Sequence, residues 1–193
     1  YSIWIKFANI QKMMFMGYVL AFAGSNSSTS INYKLVKFTS SLINGHEVRL
    51  RDMANSPFPM YSEDVEKDSG FSNSLVEFKN EIRNAKGLII SVNEHNSYPS
   101  AYFKNVIDWL SRLDAQFLVN KKILLMATSN GGRGAIGALE VVEKMLTRFK
   151  GEVVETFSLP KYDENFDEEK GITNADLAKI HAEKVASFVK SIS

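Results

Sequence analysis

The sequence predicts an α/β fold in which one parallel sheet of five strands carries helices on both faces. Two observations predict it. Strand-like and helix-like segments alternate from residue 17 to the end of the chain, and several of the strand-like segments are continuously apolar, as in strands buried on both faces. Parallel strands alternating with helices require right-handed crossover connections. Five such units favour the strand order 2-1-3-4-5, in which ligands bind beyond the carboxyl ends of the strands.

Apolar runs and helical periodicity locate the elements. The strands are predicted at residues 17–23, 47–53, 87–92, 122–128 and 153–158. The helices are predicted at residues 30–43, 71–85, 100–113, 135–149 and 174–192. Leu75, Phe78 and Ile82 illustrate the helical spacing of the apolar residues. Loops are expected around Pro57 and in the Asp- and Glu-rich stretch that precedes the last helix.

The apolar run at residues 13–23 has two interpretations. Ala21 and Ala23 follow the small-x-small pattern of a signal-peptide cleavage site, and the run is too short to span a bilayer. The run also fits a buried first strand. We favour the strand, because the loop that follows requires it. Residues 1–12 precede the first methionine and are expected to be an appended or poorly ordered segment, with residues 13–193 forming a single domain.

Composition excludes several classes of function. The net charge is +1, from 23 basic and 22 acidic residues, which gives no reason to expect binding to nucleic acid or to a membrane. The chain has no cysteine, so disulfides and thiolate chemistry are excluded and a cytoplasmic location is expected. His46, His95 and His181 are far apart and lack ligand spacing, so no metal site is predicted.

The loop after the first strand, residues 24–32, is rich in hydroxyl and amide side chains and lies just before a helix. Backbone N–H groups and the positive end of the helix dipole favour an anion there, so the loop is a candidate phosphate site. The alternative is an ordinary serine-rich loop with an N-cap. The loop matches neither the triphosphate-binding P-loop nor the G-x-G-x-x-G fingerprint of dinucleotide sites.

The loops after the third and fourth strands are the other candidates. Residues 93–100 read Asn-Glu-His-Asn-Ser-Tyr-Pro-Ser, and residues 128–134 read Thr-Ser-Asn-Gly-Gly-Arg-Gly. Glycines allow the backbone to approach a flat ligand closely, although a flexible connector would have the same composition. Arg133 is either a cation for a nucleotide phosphate or a solvated surface residue.

The helix predicted at residues 100–113 carries two apolar stripes. They consist of Phe103, Ile107 and Leu110, and of Tyr102, Val106, Trp109 and Leu113. A helix that covers a sheet needs only one stripe. The second therefore predicts a subunit interface, and the alternative is a helix with a wide core-facing surface.

Together these loops resemble the NADPH-dependent FMN reductase family, a branch of the flavodoxin-like proteins. The resemblance covers most of the chain from Gly17 onward. It rests on Gly24-Ser25 with Ser30-x-Asn32, on Glu94-His95-Asn96 followed by Phe103-Lys104-Asn105 and Asp108-Trp109, and on Ser129-x-Gly131-Gly132-Arg133-Gly134. It implies a flavodoxin-like three-layer sandwich that binds FMN. It also implies a homodimer or tetramer formed through the helix at residues 101–113.

The resemblance implies that the first loop binds the FMN phosphate and that the other two loops lie against the flavin ring. The implied cofactor-binding residues are Ser25, Ser27, Ser30, Asn32, Asn93, Glu94, His95, Asn96, Ser97, Ser129, Gly131, Gly132 and Arg133. The second loop departs from the family's Pro-Glu-Tyr-Asn pattern, since Asn93 and His95 replace the proline and the tyrosine.

The activity implied is hydride transfer from NADPH or NADH to FMN, and then to a small-molecule acceptor such as a quinone, an azo compound, a metal oxyanion or free flavin. The cofactor carries this chemistry, so no catalytic side chain is expected. One alternative is a flavodoxin-type electron carrier, a class that is usually acidic and therefore disfavoured by the net charge of +1. Another is a flavin-free binding or signalling domain.

Overall fold

The computed structural model describes residues 17–56 and 58–193, and the predicted segment 1–12 lies outside them. A parallel sheet of five strands forms the centre. The strands are β1 (Val19–Ala23), β2 (Val48–Arg51), β3 (Gly87–Val92), β4 (Lys121–Thr128) and β5 (Gly151–Leu159). Their order is β2-β1-β3-β4-β5. The predicted strand order is therefore confirmed, and so is the first strand.

Within residues 17–56 and 58–193, seven helices surround the sheet. They are α1 (Ile31–Ser41), α2 (Glu63–Ser69), α3 (Asn73–Asn84), α4 (Ala101–Leu113), α5 (Ile136–Arg148), α6 (Tyr162–Asn165) and α7 (Ala175–Ile192). Successive residues of a strand point to opposite faces. Leu20 and Phe22 accordingly lie in a core with α3, α4 and α5, whereas Val19 and Ala21 lie in a second core with α1 and α7. Coverage of both faces explains why the central strands are apolar along most of their length.

Three stretches expected to be loops contain short elements. Ser62 is the N-cap of helix α2, and its side chain accepts a hydrogen bond from the Asp64 N–H. The first turn of the helix is acidic, which suits a helix start. Val65 is its one aliphatic residue, so no apolar period could reveal it. Two-residue strands pair at Glu94–His95 with Tyr98–Pro99, and at Phe166–Asp167 with Gly171–Ile172. The latter pair follows α6.

The second apolar stripe of α4 is covered by the chain itself. Trp109 is only 3% exposed and Val106 only 1%. The Trp109 indole N–H donates to the Pro59 carbonyl at 2.8 Å, and its ring meets Tyr61 and Phe71 edge-on at centroid distances of 5.0 and 6.3 Å. The expectation that this stripe is a subunit interface is therefore wrong. The alternative, a helix with a wide core-facing surface, is the arrangement found.

The surface that α4 leaves exposed is charged. Lys104 and Asp108 form an ion pair at 2.6 Å, and Arg112 pairs with Glu66 of α2 at 2.9 Å. The sequence favoured the interface over the core alternative because the covering segment, residues 53–56 and 58–71, has no regular apolar pattern of its own.

Substitution of Trp109 tests this correction. Trp109→Glu places a carboxylate in an apolar site and removes the bond to Pro59, so we expect the free energy of unfolding to fall by at least about 3 kcal/mol. Urea denaturation measures it. Lys104→Glu, on the exposed face of the same helix, is the control and should cost less than about 1 kcal/mol. A stable Trp109→Glu protein that only dissociates into smaller units would restore the interface interpretation.

His181 connects α7 to α1 inside the second core. It is 1% exposed, and its Nε2 lies 2.9 Å from the Thr39 hydroxyl oxygen. Because that hydroxyl donates to the Leu35 carbonyl, the His181 ring N–H donates to Thr39. Phe38 and Phe157 pack against the ring. Burial lowers the pKa of His181 to about 4, so the fold holds the neutral ring.

This burial predicts a pH dependence of stability. The unfolded chain binds a proton at His181 near pH 6.5, whereas the folded chain does so only near pH 4, so stability is full above about 6.5 and falls between these values. Lowering the pH from 7.5 to 5 should cost the wild type about 2 kcal/mol more than His181→Gln, which cannot titrate. Chemical denaturation at both pH values gives the difference. Equal losses in the two proteins would contradict the assignment.

Candidate functional site

The three predicted loops meet at one edge of the sheet, because the strands are parallel and all their carboxyl ends lie there. Hydrogen bonds tie the loops together. The Gly24 N–H donates to the Ser91 carbonyl at 2.8 Å, and the Ser100 hydroxyl donates to the Gly24 carbonyl at 3.0 Å. The third loop is joined to the loop after β5, since the Tyr162 N–H donates to the Ser129 carbonyl at 3.1 Å.

Asn32 holds α1 against two of these strand ends. Its side-chain oxygen accepts hydrogen bonds from the Ser91 hydroxyl at 2.7 Å and from the Thr128 N–H at 3.1 Å, and its amide nitrogen donates to the Thr128 carbonyl at 3.2 Å. The residue is 2% exposed. Its side chain thus has partners inside the protein, which favours a positioning role over direct contact with a phosphate.

The first loop presents hydroxyl groups at the start of α1. Ser30 is the N-cap, and its side-chain oxygen accepts from the Tyr33 N–H at 3.2 Å. Ser25 is buried and accepts from the Ser27 N–H at 3.3 Å. The tip at residues 26–29 is exposed, with Ser27 and Thr29 sharing a hydrogen bond of 3.2 Å. Hydroxyl and backbone donors at a helix start form a suitable site for a phosphate.

The second loop is a short hairpin. Asn96 and Ser97 have positive φ values of 53° and 65°, as a two-residue hairpin turn requires. His95 is exposed, and its ring nitrogen lies 3.2 Å from the Asn93 amide nitrogen. The Asn93 side-chain oxygen is buried, and no group within residues 17–56 and 58–193 donates a hydrogen bond to it. A buried acceptor without a donor is costly, so this oxygen suits a ligand donor.

The third loop exposes its first two glycines and buries its last. A Cβ at Gly132 would meet no atom of the described chain within 4 Å, and a Cβ at Gly131 would meet only Ser129, at 3.5 Å. By contrast, Gly134 has a φ of +59°, and a Cβ there would lie 2.3 Å from the Ser158 hydroxyl oxygen. Arg133 is exposed between them. The loop is therefore fixed at one end and open at the other, as contact with a flat ligand requires.

Glu94 turns its side chain toward α5. Its Oε2 accepts a hydrogen bond from the Ala138 N–H at 3.0 Å. Gly137 and Ser100 take part in the same architecture, and neither was predicted as a cofactor-binding residue. A glycine at the start of a helix is a usable sequence signal for close packing, and a serine before a helix is a usable signal for a cap.

These features fit a ligand with a flat ring and an anionic tail, which describes FMN. The hydroxyl-rich loop suits a single phosphate. The Asn93 oxygen, which accepts no hydrogen bond from the described part of the chain, suits the edge of a ring system, and the open backbone at Gly131 and Gly132 suits its face.

A family comparison decides the assignment. Residues 18–164 match the model of a family described as NADPH-dependent FMN reductase. The chain belongs to this family. Membership confirms the resemblance seen in the loops, and it makes FMN with NADPH or NADH the cofactors of the family to which the chain belongs.

Individual relatives agree with this. The chain is 38% identical over 73 residues to a quinone reductase of Escherichia coli (strain K12), which covers 38% of this chain and 39% of the relative. It is 32% identical over 121 residues to an NAD(P)H-dependent FMN reductase of Pseudomonas aeruginosa, covering 62% of this chain and 64% of the relative. The first match thus spans about two fifths of the relative's length, and the second spans less than two thirds of it.

A solved structure matches over nearly its whole length. FerB of Paracoccus denitrificans, a flavoenzyme NAD(P)H:(acceptor) oxidoreductase, superposes with a TM-score of 0.74 at 25% identity, covering 91% of this chain and 97% of FerB. The family is one of oxidoreductases, which favours the enzyme interpretation over the electron-carrier alternative. Among the described residues, no helix is both long and apolar enough to cross a membrane.

The Asn32 contacts can be tested by stability. Asn32→Ala removes three hydrogen bonds and leaves Ser91 and Thr128 groups buried without partners, so we expect the free energy of unfolding to fall by about 3 kcal/mol. Asn80→Ala, at an exposed position of α3, is the control and should change it by less than about 0.5 kcal/mol. Urea denaturation compares the two. A loss below about 1 kcal/mol for Asn32→Ala would show that these bonds contribute little.

Proposed function

We propose that this chain is an NAD(P)H-dependent FMN reductase that passes electrons to a small-molecule acceptor, with quinones and azo compounds as the first candidates. One observation carries the proposal. A hydroxyl-rich helix start and the open third loop, residues 128–134, which we call the glycine loop, meet at one edge of a flavodoxin-like sheet. The name of the quinone reductase relative supports the first of these substrate classes, and the name of an NADPH azoreductase relative supports the second.

The first loop is proposed to bind the phosphate of FMN. Ser25, Ser27 and Ser30 offer hydroxyl donors, and the backbone N–H groups at the start of α1 add the positive end of the helix dipole. The exposed tip allows the phosphate to enter from solvent. Asn32 is proposed to act indirectly, by holding this helix start against β3 and β4.

The other two loops are proposed to line the flavin ring. Asn93 supplies a buried acceptor oxygen, and His95 supplies a flat side chain near it. Gly131 and Gly132 permit close approach of the backbone from the other side. The remaining residues proposed for the ring walls are Asn96, Ser97, Ser129 and Arg133.

FMN, when bound, supplies the hydride chemistry, and the chain's own residues bind and orient it. No side chain is assigned as a catalytic acid, base or nucleophile. Asn93 is proposed to accept a hydrogen bond from a polar edge of the ring through its buried side-chain oxygen. This bond fixes the rotation of the ring in the space between the second and third loops, which we call the flavin slot. Arg133, exposed beside this slot, is proposed to attract the phosphate of the nicotinamide nucleotide.

A homodimer or tetramer and a cytoplasmic location remain proposals. Because the second stripe of α4 is buried, a subunit contact on this helix would use the charged face around Lys104 and Asp108. The absence of cysteine fits a reducing compartment.

Titration with flavins tests the proposal. We expect the purified protein to bind FMN in preference to FAD, because the first loop suits one terminal phosphate and lacks a pyrophosphate fingerprint. Ser27→Glu places a negative charge beside that phosphate, so FMN affinity should fall by about a thousandfold. Flavin fluorescence measures both affinities, and NADPH oxidation with a quinone should fall in parallel.

Ser74→Glu provides the matched control. It puts the same charge at the start of another helix, α3, and should leave FMN affinity within about twofold. Preference for FAD, or equal FMN affinity in wild type and Ser27→Glu, would refute the assigned phosphate site.

A further inference from the structure

Glu94 lies in the hairpin of the second loop and caps helix α5, which follows the third loop. Helix α5 begins after Ala135, whose backbone is left-handed with a φ of 64° and whose methyl group cannot accept a hydrogen bond. The first N–H groups of a helix lack partners within the helix and carry partial positive charge. The Glu94 carboxylate accepts from one of them, the Ala138 N–H, at 3.0 Å. The hairpin thus supplies the cap that α5 lacks.

Gly137 makes this approach possible. A Cβ at this position would lie 2.9 Å from the Glu94 Oε2 and 2.9 Å from the Ser97 carbonyl oxygen. The second of these atoms is backbone, so a side chain at position 137 would push the hairpin away. The Arg133 guanidinium borders the same glycine, at 3.6 Å from the Cβ position. The absence of a side chain at residue 137 therefore allows the hairpin to pack directly against the start of α5.

The hairpin and the glycine loop, which this contact joins, are otherwise held by different elements of the fold. The hairpin is held to the start of α4, because the Ser100 N–H donates to the Asn93 carbonyl at 3.2 Å. The glycine loop is held to β5, because the Ser158 hydroxyl donates to the Gly134 carbonyl at 2.8 Å. The bond from Glu94 to Ala138 links these two anchored parts across the sheet edge.

We propose that Glu94 is a positioning residue, which with Gly137 fixes the distance between the hairpin and the glycine loop. This rests on the proposed function, in which those two loops are the walls of the flavin slot. The contact holds the slot at one width before flavin arrives. In this role Glu94 acts through the backbone of α5, in place of touching the ring.

The test combines amide hydrogen exchange on the flavin-free protein with FMN titration, for wild type, Glu94→Ala, Glu94→Gln and Gly137→Ala. In Glu94→Ala the Ala138 amide should exchange at least about tenfold faster, and FMN affinity should fall by about tenfold if the aligned state drops to a tenth of the population. Glu94→Gln keeps an acceptor oxygen and should stay within about threefold of wild type. Gly137→Ala should reproduce Glu94→Ala without altering the carboxylate.

Glu140→Ala, which removes an exposed carboxylate from the same helix, is the matched control and should leave both readouts unchanged. Urea midpoints identify any variant that has merely lost its fold. If Glu94→Ala is such a variant, the comparison is made between wild type and Glu94→Gln. Unchanged Ala138 exchange in Glu94→Ala would overturn the cap. Faster exchange with unchanged FMN affinity would overturn the positioning role. A wild type that binds no FMN would instead overturn the proposed function, while the exchange data would still report on the cap.

Discussion

The buried amide of Asn32 is the constraint on which the site depends. A parallel sheet brings strand ends to one edge, but it does not fix the helix that follows the first strand. Asn32 does so by bonding with the ends of β3 and β4 at once, so the start of α1 has a set height above the sheet. A buried amide satisfied at both its oxygen and its nitrogen is more directional than apolar packing. The hydroxyl-rich loop inherits its position from this network.

Much of the fold could be predicted from the sequence because both sheet faces are covered. Coverage makes the central strands apolar along most of their length, and this pattern is visible in the sequence without knowledge of the packing partners. The loops were identified for a related reason, since chemistry in such sheets gathers at the carboxyl ends. Agreement was best where a local pattern and the global architecture make the same demand.

The errors arose where a distant segment decides the outcome. The apolar stripe containing Trp109 could be interpreted as interface or as core, and the packing of residues 58–71 against it decides between them. That segment has no apolar periodicity. It is held by individual hydrogen bonds, such as the one that the Tyr61 N–H donates to the Asn105 side-chain oxygen at 2.7 Å. The inward direction of Glu94 was equally hidden, because its partner is a backbone N–H more than forty residues away. Gly137 signals close packing at the start of α5, but local composition and spacing identify neither Glu94 as its neighbour nor the segment that covers Trp109.

The contact between Glu94 and Gly137 also constrains how this protein can change over time. Two positions 43 residues apart share one small volume, filled by a carboxylate from one side and left empty by a glycine on the other. A larger residue at 137 displaces the hairpin, and a shorter residue at 94 removes one of the two contacts that cause the displacement. A change at one position therefore alters what fits at the other, and a designer who wishes to widen the slot must alter them as a pair.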